Sequence, residues 1–304
     1  HNWDMLERGY TMHHAISQDK QGNILATVSK TSAKIANGKD VRINDFIIMM
    51  DPEKGEILQE WDLVHMLDSA RYGMTDYNLT ADPYAQNASN WAHNNGIVEW
   101  GNDYLATARY QGIFKFNKAG GIEWIISPHG YWRDRYLKLL LNPLHADGTP
   151  ITDPDVIAGT KNCDDFEWPW GCHTAVPLPN GHIFYFNNGY GRNFKLDFTD
   201  RKNVYTCGIE YEVDEVNRTV RQVWQYGKER GTAYFTPARS GVQYLEQTGN
   251  RLICPGMSNV LSNGNRGARV TEVDPETQEI VFELELEDAI YQRVYRMSLY
   301  PDNQ

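Results

Sequence analysis

One arrangement recurs along this chain and limits how it can fold: a histidine stands eight residues before a glycine, and an apolar run follows. The three such pairs are His14 and Gly22, His93 and Gly101, and His173 and Gly181. A fourth copy keeps a glycine turn at Gly249 but has Gly241 in place of the histidine. A glycine turn between two apolar runs predicts a β-hairpin. The chain is therefore expected to repeat one structural unit.

Two more short strands follow each hairpin, which gives four strands per unit. The predicted third and fourth strands are 45–50 and 56–61, 112–116 and 122–124, 208–213 and 219–224, and 269–273 and 280–284. The fourth strand usually carries a large aromatic residue, and we assign Trp61, Trp124 and Trp224 to the core rather than to a ligand cage. Four-stranded units with regular turns are typical of β-propeller blades. We predict an all-β fold, a β-propeller with four full blades and a terminal strand at 291–300 that belongs to a further blade.

Long insertions separate the predicted blades, at 64–90, 129–171 and 189–205. Loops of this length in a compact domain usually form lids or binding walls, and the alternative is a decorated surface. Within them the pattern predicts short helices at 131–141 and 66–73.

Charge and hydropathy exclude two classes of function. The 304 residues carry a net charge of −11 without blocks of Lys or Arg, which argues against nucleic acid as a main partner. No apolar run approaches the roughly 18 to 20 residues of a membrane helix, so no membrane span is expected. The chain starts at His1 rather than Met. The missing signal peptide therefore leaves the compartment open.

The first strand of each propeller blade lines the central channel, so the repeated histidines are expected near the channel mouth. Asn95 lies two residues after His93, and this step keeps both side chains on one face of a strand. Arg109 and Arg239 lie close to the strands of their own blades. The candidate set is His14, His93, His173, Asn95, Arg109 and Arg239.

These residue types leave three interpretations open. A three-histidine site could bind zinc or copper. Arginine and asparagine beside the histidines fit an anion such as sulfate or phosphate better, because a guanidinium makes forked contacts with oxyanions. The third interpretation is a set of unrelated core histidines. A histidine can also act as a nucleophile, whereas no paired carboxylates and no Gly-x-Ser-x-Gly elbow are present.

Several neighbours of His173 have two interpretations each. Trp168 and Trp170 either form a wall of the site or pack in the core. Asn188 and Arg192 follow the hairpin and either reach the channel or stabilise a turn.

The redox state of the cysteines and the choice between His13 and His14 for the site also remain open. Cys163 and Cys172 either close a short disulfide loop in an oxidising compartment or remain two buried thiols. His13 is expected to pack or face solvent, because the repeat spacing favours His14 for the site.

Taken together, these segments resemble the bacterial arylsulfate sulfotransferases that work without the nucleotide donor PAPS. The similar segments are Met12–Ala15, Asn90–Asn95, Thr107–Gln111, Gly171–Ala175, Val223–Gly227, Pro237–Gln243 and Val294–Arg296. The resemblance covers nearly the whole chain in order. Each motif alone is weak, and the combination is specific.

The resemblance implies a six-bladed propeller and a ping-pong transfer. His173 would be the nucleophile that takes a sulfuryl group from an aryl sulfate donor and passes it to a phenol acceptor. The oxyanion-binding and leaving-group residues would be His14, His93, Asn95 and Arg109. Arg239, Trp168, Trp170 and Asn188 are the candidates for substrate contacts. No cofactor and no metal are expected.

The resemblance also implies a periplasmic location, and some members need a disulfide near the nucleophile, for which Cys163 and Cys172 are the candidates. The family's N-terminal β-sandwich and earliest blades are not seen, so residues 1–304 are expected to form one catalytic propeller domain without them. Pairing into a homodimer is conceivable.

Three alternatives to sulfuryl transfer remain. They are an aryl sulfate hydrolase in which water replaces the acceptor, a metal-dependent hydrolase, and a noncatalytic propeller that binds a ligand or protein through its loops.

Overall fold

Each sheet of this computed structural model is built on four antiparallel strands that follow one another in sequence. The structure describes residues 3–37, 40–71, 91–196, 198–258 and 267–287, with the side chains of 31–44 excepted. The chain divides into two compact units, each with two sheets. The first unit comprises residues 1–141, 153–161 and 193–195, and the second comprises 142–152, 162–192 and 196–304.

The first unit contains two four-stranded blades. Their strands are β1 (Tyr10–Gln18), β2 (Ile24–Asn37), β3 (Asp40–Met50) and β4 (Ile57–Asp62), then β5 (Asn94–Trp100), β6 (Asp103–Ala108), β7 (Gly112–Phe116) and β8 (Ile122–Ile126). Three single-turn helices accompany them, α1 (Leu63–Met66), α2 (Asp134–Leu137) and α3 (Pro154–Ala158).

The second unit repeats this plan. Its strands are β9 (Asn142–Leu144), then β10 (His173–Pro177), β11 (Ile183–Asn187), β12 (Cys207–Asp214) and β13 (Thr219–Tyr226), then β14 (Ser240–Tyr244), β15 (Arg251–Pro255), β16 (Ala268–Val273) and β17 (Ile280–Leu286). Strand β9 extends the third blade by pairing in parallel with β13. The helix α4 spans Gly231–Tyr234, and 3₁₀ turns lie at Arg192–Phe194, Arg201–Asn203 and Lys228–Arg230.

The predicted fold class is confirmed: the described residues are mostly strand, and the four sheets that they form are β-propeller blades. The six-blade count and the missing N-terminal domain stay predictions, and the predicted strand at 291–300 lies outside the described residues. Within the described part of the chain, no helix has the length and apolar character needed to cross a membrane.

The aromatic residue of the outer strand joins neighbouring blades, as a core position should. Trp61 of β4 packs on Tyr104 and Phe116 with ring centroids 4.8 and 5.4 Å away, and its Nε1 donates to the carbonyl of Lys118 at 2.9 Å. In the second unit Nε1 of Trp224 donates to the carbonyl of Pro275 at 3.0 Å. Each of the two indole nitrogens thus finds an acceptor in the last turn of the next blade.

Equal spacing from the turn glycines does not give the three histidines equal places in their strands. The β5–β6 hairpin closes tightly at the pair Trp100 and Asp103, whereas β1 and β2 first pair at Gln18 and Ile24. The β10–β11 hairpin closes as the first one does, at Pro177 and Ile183, so the tighter turn sets His93 apart from the other two histidines. His93 lies just before β5, His14 lies in the bulge of β1, and His173 is paired as the first residue of β10.

The two predicted helices are much shorter than expected. In 131–141 only Asp134–Leu137 is helical, and the residues that follow extend the edge of β8. The N–H of Leu141 donates to Ile125, and the N–H of Ile125 donates to Leu139. Pairing with an open sheet edge satisfies more backbone groups than another helical turn would. The second helix, predicted at 66–73, instead spans 63–66, and residues 72–90 lie outside the described part.

Candidate functional site

His173 opens β10 with its ring buried, at 1% exposure. Its Nδ1 lies 2.6 Å from Oδ1 of Asn188 and 3.2 Å from the carbonyl oxygen of Gly171. Both partners are acceptors, so Nδ1 carries the proton of the neutral ring and the lone pair is on Nε2.

The amide of Asn188 is itself held in one orientation. Its Nδ2 donates to the carbonyl of Thr236 at 2.9 Å, which leaves Oδ1 to face the imidazole. The hydroxyl of Ser240 also approaches this oxygen, at 3.3 Å. Of the two predicted roles for Asn188, the structure supports contact with the site, since its side chain orients the predicted nucleophile.

The loop before His173 is anchored at two points. The side chain of Asn187 accepts from the N–H of Trp170 at 3.0 Å and donates to the carbonyl of Trp168 at 2.9 Å. Glu167 forms a buried ion pair with Arg192 and accepts from the hydroxyl of Tyr205. Arg192 therefore stabilises the loop through Glu167. Of its two predicted roles, reaching the channel or stabilising a turn, this contact favours the structural one.

The two tryptophans of this loop are buried, each at 3% exposure. The ring of Trp168 meets Phe166 edge to face at 4.8 Å. This burial favours the core interpretation for both. Their contact with an aryl substrate stays a prediction.

The predicted disulfide between Cys163 and Cys172 is not formed, which corrects that expectation. Both residues are free thiols, and Sγ of Cys163 donates to Oδ1 of Asp165 at 3.1 Å. Nδ1 of His145 also contacts Asp165, at 3.0 Å. Cys172 is instead fully buried beside His173 in sequence. The carboxylate thus directs the Cys163 thiol into a polar cluster.

This cluster is also where donor atoms come close enough to share a metal ion. Among the described residues, the potential ligand atoms of His145, Cys163 and Asp165 lie within 4.8 Å of one another. None of the three repeated histidines belongs to this group.

Arg239 stands immediately before β14 in left-handed backbone, with φ of 62°. The next residue, Ser240, contacts Asn188. A non-glycine residue in this region is uncommon and is often found at functional sites. Its predicted role in substrate binding stays a prediction.

In the first unit the structure brings His14 and His93 together. Their Nε2 atoms lie 3.0 Å apart, and their rings meet at an angle of 63°. Both residues have left-handed backbone, with φ of 55° and 53°. Such strain in two adjoining histidines is consistent with a functional role.

His13 and Asp45 continue this contact inward. Nδ1 of His13 lies 2.9 Å from Nδ1 of His14, and Nε2 of His13 lies 3.7 Å from Oδ1 of Asp45. The N–H of Asn94 donates to the other carboxylate oxygen at 3.1 Å. Burial raises the pKa of Asp45 and lowers the pKa of His13.

Asn95 and Arg109 lie beside this histidine cluster. Oδ1 of Asn95 accepts from the hydroxyl of Thr107 at 2.8 Å. The N–H of Arg109 donates to the carbonyl of His93 at 3.0 Å, and its buried guanidinium lies 5.8 Å from the ring centroid of Tyr110. A buried guanidinium and several imidazoles provide the donors that an oxyanion requires.

Sequence reasoning missed the contribution of His13 and Asp45. His13 was expected to pack or face solvent, and Asp45 stands on a third strand with no place in the histidine repeat. Sequence spacing gives no signal of this contact, because Asp45 of the first blade accepts from Asn94 at the start of β5 in the second blade.

Comparisons with known proteins show what the chain as a whole is similar to. The sequence profile of the family described as arylsulfotransferase (ASST) matches residues 1–296. Two curated relatives named arylsulfate sulfotransferase AssT, from Escherichia coli O6:H1 and Lelliottia amnigena, are each 28% identical to this chain over 98% of its length. The match covers 54% of each relative, so the chain spans about half the length of these proteins.

A solved structure from Bacteroides uniformis, provisionally described as a 6-phosphogluconolactonase, is 12% identical to the chain. The superposition covers 96% of this chain and 78% of the chain in that structure, with a TM-score of 0.38. The profile match over nearly the whole sequence shows the relationship: this chain belongs to the arylsulfotransferase family.

Proposed function

We propose that this protein transfers a sulfuryl group from an aryl sulfate to a phenol through a sulfohistidine on His173, without PAPS. The observation that carries the proposal is the tautomer of His173. Two acceptors face Nδ1, so the proton of the neutral ring lies there and the lone pair lies on Nε2, the nitrogen that would attack sulfur. Membership in the arylsulfotransferase family supports the same chemistry.

In the first half-reaction Nε2 of His173 bonds to sulfur while the bond between sulfur and the aryl oxygen breaks. The phenolate leaves with the bonding electron pair. The sulfated ring keeps its Nδ1 proton and gains positive charge. Asn188 and Gly171 stabilise this charge, because both present oxygen acceptors to Nδ1.

In the second half-reaction an acceptor phenol loses its proton and its oxygen attacks the same sulfur. The bond between sulfur and Nε2 breaks, and neutral His173 is restored. We assign the binding of sulfuryl oxygens to Arg109 and Asn95, and proton transfer to His14 and His93. The family resemblance supports this assignment, and the donor types of the four residues fit it.

The test is to incubate the protein with an aryl sulfate and measure intact mass and a peptide map. We expect a gain of one SO3 group on His173, removed by added phenol. His173→Ala should show no adduct and no transfer with its fold kept, whereas His182→Ala is the control for loss of a histidine outside the site. Transfer that survives in His173→Ala would overturn the proposal. Phenol release with no adduct on the intact protein would instead indicate direct transfer or hydrolysis.

We further propose a periplasmic location, which rests on the family resemblance. Cell fractionation of the source organism tests it, and recovery with cytoplasmic markers would contradict it. Homodimer formation likewise stays a prediction that light scattering of the purified chain can test.

A further inference from the structure

Four side chains of the first unit form one file, which we call the histidine file: His93, His14, His13 and Asp45. We propose that His13 and Asp45 are positioning residues that hold a proton behind the His14–His93 pair and exchange it with the phenol oxygen. This inference rests on the proposed function and adds two residues to it.

The file is continuous through both nitrogens of His14. Its Nε2 faces Nε2 of His93 at 3.0 Å, and its Nδ1 faces Nδ1 of His13 at 2.9 Å. Each nitrogen pair within hydrogen-bond distance has one donor and one acceptor. A neutral His14 must therefore donate at one end and accept at the other. Reversal of that direction moves one proton along the file without movement of the rings.

Asp45 ends the file with a carboxyl group at 5% exposure. Its Oδ1 lies 3.7 Å from Nε2 of His13, a distance that a small approach would convert into a hydrogen bond. Burial disfavours both a lone carboxylate and a lone imidazolium, and it raises the pKa of Asp45 and lowers the pKa of His13. A carboxyl and an imidazole in this environment are suited to hold one proton between them.

Hydrogen bonds hold the backbone at both ends of the histidine file. The hydroxyl of Thr27 accepts from the N–H of Ala15 at 3.1 Å and donates to the carbonyl of His13, which fixes the bulge that carries His13 and His14. Asp45 accepts from the N–H of Asn94, the residue after His93. One carboxyl group therefore both ends the file and positions its outer member.

The proton balance closes over one catalytic cycle. When the donor is cleaved, His93 gives a proton to the departing phenolate and takes one from His14. His14 takes one from His13, and the deficit reaches the pair of His13 and Asp45. When the acceptor phenol attacks, its proton returns along the same path. No proton from solvent is needed.

The experiment compares Asp45→Asn and His13→Gln with the intact chain on a series of aryl sulfates whose phenols differ in acidity. Asparagine keeps an acceptor for Asn94 but cannot give up a proton. We expect turnover of phenyl sulfate to fall by about 100-fold, the low end of general acid catalysis, and turnover of nitrophenyl sulfate to fall by less than about threefold. A good leaving group needs no proton, so only a role in proton delivery separates the two donors.

The control is His182→Gln, because His182 contacts the carboxylate of Glu210 at 2.7 Å in the second unit. It should leave the dependence on the leaving group unchanged. Equal loss on all donors in the variants, or no loss on any donor, would overturn the proposal. If Asp45→Asn does not fold, the result for His13→Gln decides alone.

Failure of this inference is distinguishable from failure of the proposed function. The sulfohistidine on His173 is measured by mass on the unaltered protein. The proton file is measured by the leaving-group dependence of its variants. An adduct with parallel losses would retain the first proposal and reject the second.

Discussion

The chemical state of His173 is decided by single atoms that neighbouring residues present to it. Oδ1 of Asn188 and the carbonyl of Gly171 both accept, and this makes Nδ1 the protonated nitrogen. Asn188 in turn depends on the carbonyl of Thr236 for its orientation. At the residue scale, the protonation of this ring therefore depends on a short chain of hydrogen bonds.

Replacement of Asn188 by alanine tests this chain of bonds. Loss of one of the two acceptors weakens the hold on the tautomer, and we expect the rate of phenol release to fall by about 10- to 100-fold, as for other residues that orient a reactive group. Steady-state kinetics with one aryl sulfate measure the change, and circular dichroism checks the fold.

The matched control for this variant is Asn162→Ala, since Asn162 lies on the surface and contacts Asn203 at 2.6 Å. Activity equal to the unaltered protein in Asn188→Ala would show that Gly171 alone suffices to hold the tautomer.

At the scale of elements, the loop between β9 and β10 places His173 through polar anchors. Asp165 accepts from the N–H of Ala146 at 2.9 Å, from His145 and from the thiol of Cys163. Partial burial opposes the ionised form, yet these bonds outweigh it and lower the pKa of Asp165 to about 2. These bonds join the end of the loop at Asp165 to its beginning at His145 and Ala146.

Asp165→Asn should therefore destabilise the protein in a pH-dependent way. The folded pKa lies below the unfolded value of 3.8, so the carboxylate stabilises the fold above about pH 4 and this contribution is lost as pH falls through about 2. We expect the free energy of unfolding of the variant to be about 1 kcal/mol lower at neutral pH. This figure allows for solvent screening, because the side chain is 37% exposed.

Urea unfolding at several pH values measures this difference, and Asp164→Asn, on the neighbouring exposed residue, is the control. The gap between Asp165→Asn and the unaltered protein should close toward pH 2. A gap that is constant with pH would contradict the assigned role of the carboxylate.

At the scale of the whole molecule, the described residues form the same blade four times, and the same bond joins blades within each unit. Trp61 reaches the turn of the second blade and Trp224 reaches the turn of the fourth. The four cysteines, by contrast, follow no repeat, and all four are free thiols.

The state of the cysteines is testable on the purified protein without reductant. Because Cys163 is turned to Asp165, alkylation of the unfolded protein followed by mass measurement should label four thiols. Labelling of two, with a linked peptide that contains Cys163 and Cys172, would show that the disulfide forms. The control is the same measurement after reduction, where four labels are required in either case.

Much of the fold was determined by the sequence alone, because alternation of apolar residues and glycine turns acts over a few residues. Four blades, the core positions of Trp61 and Trp124 and the contact between His14 and His93 could be predicted in this way. The prediction of a helix over 131–141 was wrong, because the leucines after α2 pair with the open edge of β8. A local sequence pattern does not show which sheet edge lies beside a segment, and here that edge decides between helix and extended chain.

The tertiary structure alone decided the finer parts of the candidate site. Asp45 meets His13 across strands, Asn188 selects the nitrogen of His173 that carries the proton, and Asp165 takes the thiol that was expected to form a disulfide. Each of these outcomes depends on a distance of a few ångströms between residues far apart in sequence. Local patterns carry no record of such distances, because hydrogen bonds and burial are properties of the packed chain.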